Sequence, residues 1–118
     1  GNAPKMTLLR DFTSAFANGN SDIIIGNLAD DIRWEMVGDQ TINNKSEAKT
    51  KVVEMLDGSI EELNIDNIVT HGDAGAVQGT MKFRGGQLFS FCDFYNFTSH
   101  GKNAKIKRIQ SYVVEINK

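Results

Sequence analysis

The second half of the chain constrains the fold most. Between residues 60 and 116 it holds four long runs that read as strands, roughly 60–70, 74–84, 87–98 and 104–116. His71-Gly72-Asp73, Gly85-Gly86 and Ser99-His100-Gly101-Lys102-Asn103 separate them. These breaks are turn chemistry: glycine reaches positive φ freely, and Asn and Asp side chains bond their own backbone. The chain's single proline, Pro4, lies outside all four runs, so no ladder is forced to an edge or a break. Long consecutive strands with short turns make an antiparallel meander, and its apolar face needs a cover.

The preceding residues supply that cover. Met6, Leu9, Phe12 and Phe16 recur at steps of three and four, the spacing of one helix face. Gly19 is a natural stop for this helix. Ser21 can cap a second, short helix through Ile23, Ile24, Ile25 and Leu28. Three successive isoleucines also suit a strand; the cap and Leu28 favour the helix. Ile32, Trp34 and Met36 alternate with Arg33 and Glu35, the period of a half-buried strand that Gly38-Asp39 ends. Asn44 with Glu47 resembles a capping box for a third helix, from about Lys45 to Leu56. The expected fold is α+β, a curved antiparallel sheet with helices on one face. One domain spans 1–118, with residues 1–4 expected to be disordered or tag-derived.

A chain of 118 residues buries roughly two thirds of its extended surface, enough for a core without staples. Its one cysteine, Cys92, excludes an intramolecular disulfide and a multi-cysteine zinc site, and leans towards a reducing, cytoplasmic setting. Thirteen Lys and Arg against fifteen Asp and Glu leave a net charge of −2, which argues against a general nucleic-acid binder. No apolar run approaches the ~18 residues of a membrane span. Gly85-Gly86 is a hairpin turn with no helix after it, so it is not a phosphate loop. No metal-ligand spacing joins His71 and His100, which read as solvated turn residues. No cofactor or metal is expected.

The informative stretch is Leu88-Phe89-Ser90-Phe91-Cys92-Asp93-Phe94-Tyr95-Asn96-Phe97. Phe89, Phe91, Tyr95 and Phe97 share one strand face, and Asp93 sits in the middle of it. An acid inside an aromatic stripe is costly to ionise unless it is paired. Two readings follow: a candidate acid at the bottom of a pocket, or a structural Asp that pairs with an arginine such as Arg33, Arg84 or Arg108 or caps a helix end. A bulged, three-residue turn at Gly85-Gly86 would pair Met81 with Phe89 and Gly79 with Phe91, collecting the apolar side chains on one face. The candidate pocket is then Phe12, Phe16, Trp34, Met36, Met81, Phe89, Phe91 and Tyr95 around Asp93. Cys92, Phe94 and Asn96 fall on the outer face, with some of Tyr112 and Val114, and suit a homodimer contact.

The order of elements resembles the nuclear-transport-factor-2-like superfamily, and more narrowly its SnoaL-like and ketosteroid-isomerase-like branch. The resemblance rests on Leu28-Ala29-Asp30-Asp31 before a strand and Phe91-Cys92-Asp93-Phe94-Tyr95-Asn96-Phe97 before a glycine-containing hairpin. It runs from about Met6 to Ile116. It implies a cone, a bent sheet wrapped around three helices and enclosing an apolar cavity, commonly in a homodimer. Asp93 matches the isomerases' oxyanion-hole aspartic acid. Their partner tyrosine falls at Phe12 and their aspartate base at Met36, so two of three catalytic positions are replaced. The expected function is a pocket for a small hydrophobic molecule, with isomerase, cyclase or hydrolase chemistry at Asp93. The alternative is a non-catalytic binding or protein-interaction module.

Overall fold

The four expected runs form strands Ile60–His71, Ala74–Phe83, Leu88–Phe97 and Ile106–Ile116 of a computed structural model that describes residues 3–116. We number them β3 to β6. They pair consecutively and antiparallel, as the turn residues dictate. The β4–β5 turn is the bulged one: Met81 faces Phe89 and Gly79 faces Phe91. The Phe83 amide donates to the Gln87 carbonyl at 2.9 Å, and Gly86 takes φ 96°, leaving three residues in the loop.

β1, Leu28–Met36, joins the sheet on the other side of β6. It runs parallel to β6, with Trp34 beside Ile109 and Met36 beside Ser111. The sheet is therefore mixed at this one ladder, because the chain between β1 and β6 is long enough to return in the same direction. A short β2, Gln40–Ile42, folds back on β1 and completes the order β2-β1-β6-β5-β4-β3. Three residues are too few to show an alternation, so β2 carries no strand signal in the sequence. Register shifts at Ile60/Glu62 and Ile65/Asn67 on β3, and at Asn96/Phe97 on β5, bend the sheet. The sheet curves without closing.

Helices fill the concave side. α1, Ala3–Asn18, turns Leu9 and Phe12 into the core. Ala3 and Pro4, expected to be disordered, form its first turn, where proline has no helical hydrogen bond to lose; Gly1 and Asn2 lie outside the described residues. α2 is Ser21–Gly26, capped by Asn20, whose side chain accepts from the Ile23 amide. The cap thus lies one residue before Ser21. Leu28 belongs to β1 and not to α2, since Asn27 closes the helix and its side chain donates to the Ile23 carbonyl. α3, Lys45–Met55, starts at the capping box: the Glu47 amide donates to Asn44 at 2.8 Å, and Glu47 reaches back to the Asn43 amide at 3.0 Å.

The core lies between these helices and the sheet. It joins Leu9 and Phe12 to Ile24, Ile32, Val52, Val77, Phe97, Ile106 and Ile109. Lys5 is also buried. Its ammonium donates to the carbonyls of His100 (2.7 Å) and Gly101 (3.1 Å) and stands 5.4 Å from the Phe97 ring centroid. This ties the β5–β6 loop to α1.

Candidate functional site

Period-two alternation on β1, β4, β5 and β6 sends one set of side chains into the concave side of the sheet. The helices do not fill that side completely. A cavity of about 340 Å³ remains, inside the range of small-molecule sites. Phe12, Phe16, Trp34, Met36, Met81, Phe91 and Tyr95 line it, with Asp93 among them. Phe89 is the exception. It stacks edge-on against Phe83 at 5.3 Å between centroids and does not line the cavity. Phe83, against which it packs, takes the wall position instead.

The floor is an aromatic cluster. Phe12 meets Phe16, Trp34 and Tyr95 at centroid distances of 5.7, 6.1 and 5.8 Å. Such packing fixes each ring and excludes water. Met36, Met55 and Met81 make much of the wall, with Leu63, Ile60 and Val113. Asp57 and Ser59 also line the cavity, after the end of α3. The Ser59 amide donates to Asp57 at 3.0 Å, and the Ser59 hydroxyl, with that amide, holds the exposed Asp57 carboxyl below its usual pKa.

Asp93 is the half-buried acid of this floor. Desolvation raises its pKa from 3.8 to about 6. Two hydroxyls oppose the rise. Ser111, directly across the ladder, bonds the carboxyl, and the Tyr95 hydroxyl donates to Oδ2 at 3.5 Å. Ser111 is itself fixed by the Trp34 indole, whose Nε1 donates to Oγ at 3.1 Å. Burial pushes the Tyr95 phenol well above its ordinary pKa, so it stays protonated.

None of Arg33, Arg84 and Arg108 lines the cavity. Arg33 and Arg108 lie side by side on β1 and β6 with their side chains exposed, and Arg84 donates to the Gly58 carbonyl. The paired-ion reading therefore loses its arginine. Sequence reasoning missed Ser111, whose only signal was register: it lies opposite Asp93 once β5 and β6 pair. It also missed Thr13, whose buried hydroxyl neighbours Tyr95. His71 and His100 are exposed and lie outside the cavity. Among the described residues, no group of three or more His, Cys, Asp or Glu is placed to hold a metal, and no helix is long and apolar enough to cross a membrane.

Comparison with solved structures places this geometry among known folds. An LEH-like epoxide hydrolase from M. tuberculosis superposes with a TM-score of 0.76 at 21% identity, over 94% of this chain and 83% of its own. A putative ketosteroid isomerase from Kribbella flavida DSM 17836 gives 0.77 at 13% identity, over 98% and 81%. SalBIII, an epoxide hydrolase/cyclase-like enzyme in pyran ring formation in the polyether salinomycin, gives 0.74 at 12% identity, over 92% and 88%. At these identities the likeness is one of fold. No curated protein sequence matches the chain significantly. The SnoaL-like domain profile matches residues 9–108, and the chain belongs to the SnoaL-like domain family of the nuclear-transport-factor-2-like superfamily.

Proposed function

We propose that the cavity binds a small hydrophobic molecule whose polar group meets Asp93, and that Asp93 exchanges a proton with it. The observation that carries this reading is a half-buried carboxyl, raised to about 6, on the floor of a mostly apolar cavity. A group with a pKa near neutrality can both give and take a proton, which is what acid–base catalysis asks for. By the sequence resemblance, the tyrosine and the base of ketosteroid isomerases fall at Phe12 and Met36, so steroid isomerisation is not the reaction we propose. Cofactor-free isomerase, cyclase or hydrolase chemistry at Asp93 is supported by the fold shared with epoxide hydrolase and cyclase-like proteins. Free Cys92 supports a reducing, cytoplasmic setting.

Trp34 is the chain's one tryptophan and is 4% exposed in the cavity wall. Titration with cyclohexanone, a neutral apolar probe, should change its fluorescence saturably. A linear response, together with free quenching of Trp34 by iodide, would sink the pocket reading.

A second reading rests on the convex face. Phe94, Tyr112 and Val114 are 41%, 45% and 62% exposed there. They belong to adjacent strands, with Cys92 facing Tyr112 and Ser90 facing Val114. This supports a homodimer through the outer sheet face; a different protein partner on the same patch would make the chain an interaction module.

A further inference from the structure

The hydrogen-bond supply of the cavity is one-sided. Its polar lining is Thr13, Asp57, Ser59, Asp93, Tyr95 and Ser111, all hydroxyls and carboxyls. Among the described residues that line it there is no Lys, Arg, His, Asn or Gln. Each hydroxyl has one proton. Ser111 accepts the Trp34 indole N–H, so its own proton turns to Asp93. The Tyr95 proton goes to Asp93 Oδ2, and the Ser59 hydroxyl bonds Asp57. Thr13 is 4% exposed in the cavity lining beside Tyr95, and its hydroxyl has no hydrogen-bond partner.

The protons of Ser111, Tyr95 and Ser59 are thus committed. Beyond the nearly buried Thr13 hydroxyl, the described residues of the cavity have acceptor capacity left over and no uncommitted side-chain donor. An ionised carboxylate offers about four acceptor positions, and Asp93 uses two of them. Two carboxyls face or rim the cavity with no cationic side chain to balance them. An adjoining recess adds to this. It shares Phe16, Met55, Ser59 and Ile60 with the cavity and is lined by Ala17 and Asn18 at the end of α1 and by Met55 and Leu56 at the end of α3. Helix C-termini present carbonyl oxygens and partial negative charge.

Resting on the ligand-pocket reading, we infer that the cavity is built for a small apolar amine, whose N–H groups donate to Asp93 while its hydrocarbon part lies against the methionine and aromatic walls. A ketone oxygen or a carboxylate brings only lone pairs, and would set them against those of Asp93. An ammonium supplies both the missing donors and the missing charge, and hydrogen bonds to an ionised partner are the stronger kind. The three wall methionines are flexible, so the site selects the amine more than one hydrocarbon shape. In the bound complex Asp93 takes the proton-accepting side of its chemistry.

The test is a matched set of six-membered-ring probes, read by Trp34 fluorescence at pH 7.5: cyclohexylamine, cyclohexanone and cyclohexanecarboxylate. The amine should bind at least tenfold tighter than the ketone, with the carboxylate weakest. Asp93→Asn should weaken the amine about tenfold and leave the ketone unchanged or tighter; retained ketone binding shows that the variant's cavity is intact. The wild-type protein gives an independent check. Lowering the pH from 7.5 to 5 should weaken the amine and spare the ketone, because Asp93 protonates while Tyr95 and Ser111 stay neutral. Ketone or carboxylate binding as tight as the amine, an amine preference that survives Asp93→Asn, or equal weakening of amine and ketone at pH 5 overturns the inference. A ketone that binds where the amine does not leaves the pocket reading standing; saturation by none of the three overturns both.

Discussion

Asp93 lies on the side of β5 that carries Phe91, Tyr95 and Phe97, and that placement has a thermodynamic cost. A carboxyl raised from 3.8 to about 6 weakens the folded state by about 3 kcal/mol once it is ionised. The sign follows from linkage. The folded protein holds the proton more tightly than the unfolded chain, so this favourable contribution is complete below the unfolded pKa and is lost as pH rises through about 6. Asp93→Asn should therefore raise urea stability by about 1–2 kcal/mol at pH 7.5, less than the full cost because the amide keeps only part of the bonding to Ser111 and Tyr95. The difference from wild type should close near pH 4. An Asn variant several kcal/mol weaker at pH 7.5 would instead mark Asp93 as a paired ion. Its parity was legible in the sequence; its neighbours Ser111 and Trp34 depended on a cross-strand register and a parallel ladder.

At the scale of elements, the bends of the sheet matter as much as its strands. β3 shifts register between Ile65 and Asn67, opposite Gly79 on β4. A Cβ on Gly79 would collide with the Asn64 carbonyl and press on the Phe91 ring, 3.0 Å away. Backbone cannot move aside as a side-chain tip can. Gly79→Ala should cost about 2–4 kcal/mol, in the range of overpacking and backbone effects, and should disturb ligand binding through Phe91. Gly75→Ala is the control. Its Cβ would meet the Leu9 Cδ1 tip at 2.8 Å, with the nearest backbone atom, the Val69 carbonyl oxygen, no closer than 3.3 Å, so a smaller loss is expected in the same urea measurement. The helices show the reverse case. Asn44 and Glu47 spelled out the start of α3 locally, whereas Ser21 is the expected cap of α2 and the folded chain uses Asn20 instead.

For the whole molecule, the helices cover the concave face and leave the convex one apolar in places. Sedimentation at tens of micromolar should show a dimer, in the range where a weak association is still populated. Phe94→Glu with Val114→Glu should convert it to a monomer of nearly unchanged urea stability, because both side chains are already exposed in the single chain. A wild-type monomer at that concentration removes the dimer. Unchanged sedimentation of the double variant removes this face as its contact.

The sequence by itself determined the local pieces. Its helix periodicity placed α1, its capping box placed α3, its turn residues placed the four-strand meander, and the parity of β5 put Asp93 among aromatics. These are short-range effects, set by residues within a few positions of one another. Only the tertiary structure decided what depends on distant segments meeting. β1 runs parallel to β6 and so brings Trp34 to Ser111; Phe83 lines the cavity, and Phe89 packs against it outside. No arginine reaches Asp93, because Arg33 and Arg108 emerge on the other face of the same strands. Each of these turns on sheet order and on packing across the whole chain, which leave no mark at the spacing of neighbouring residues.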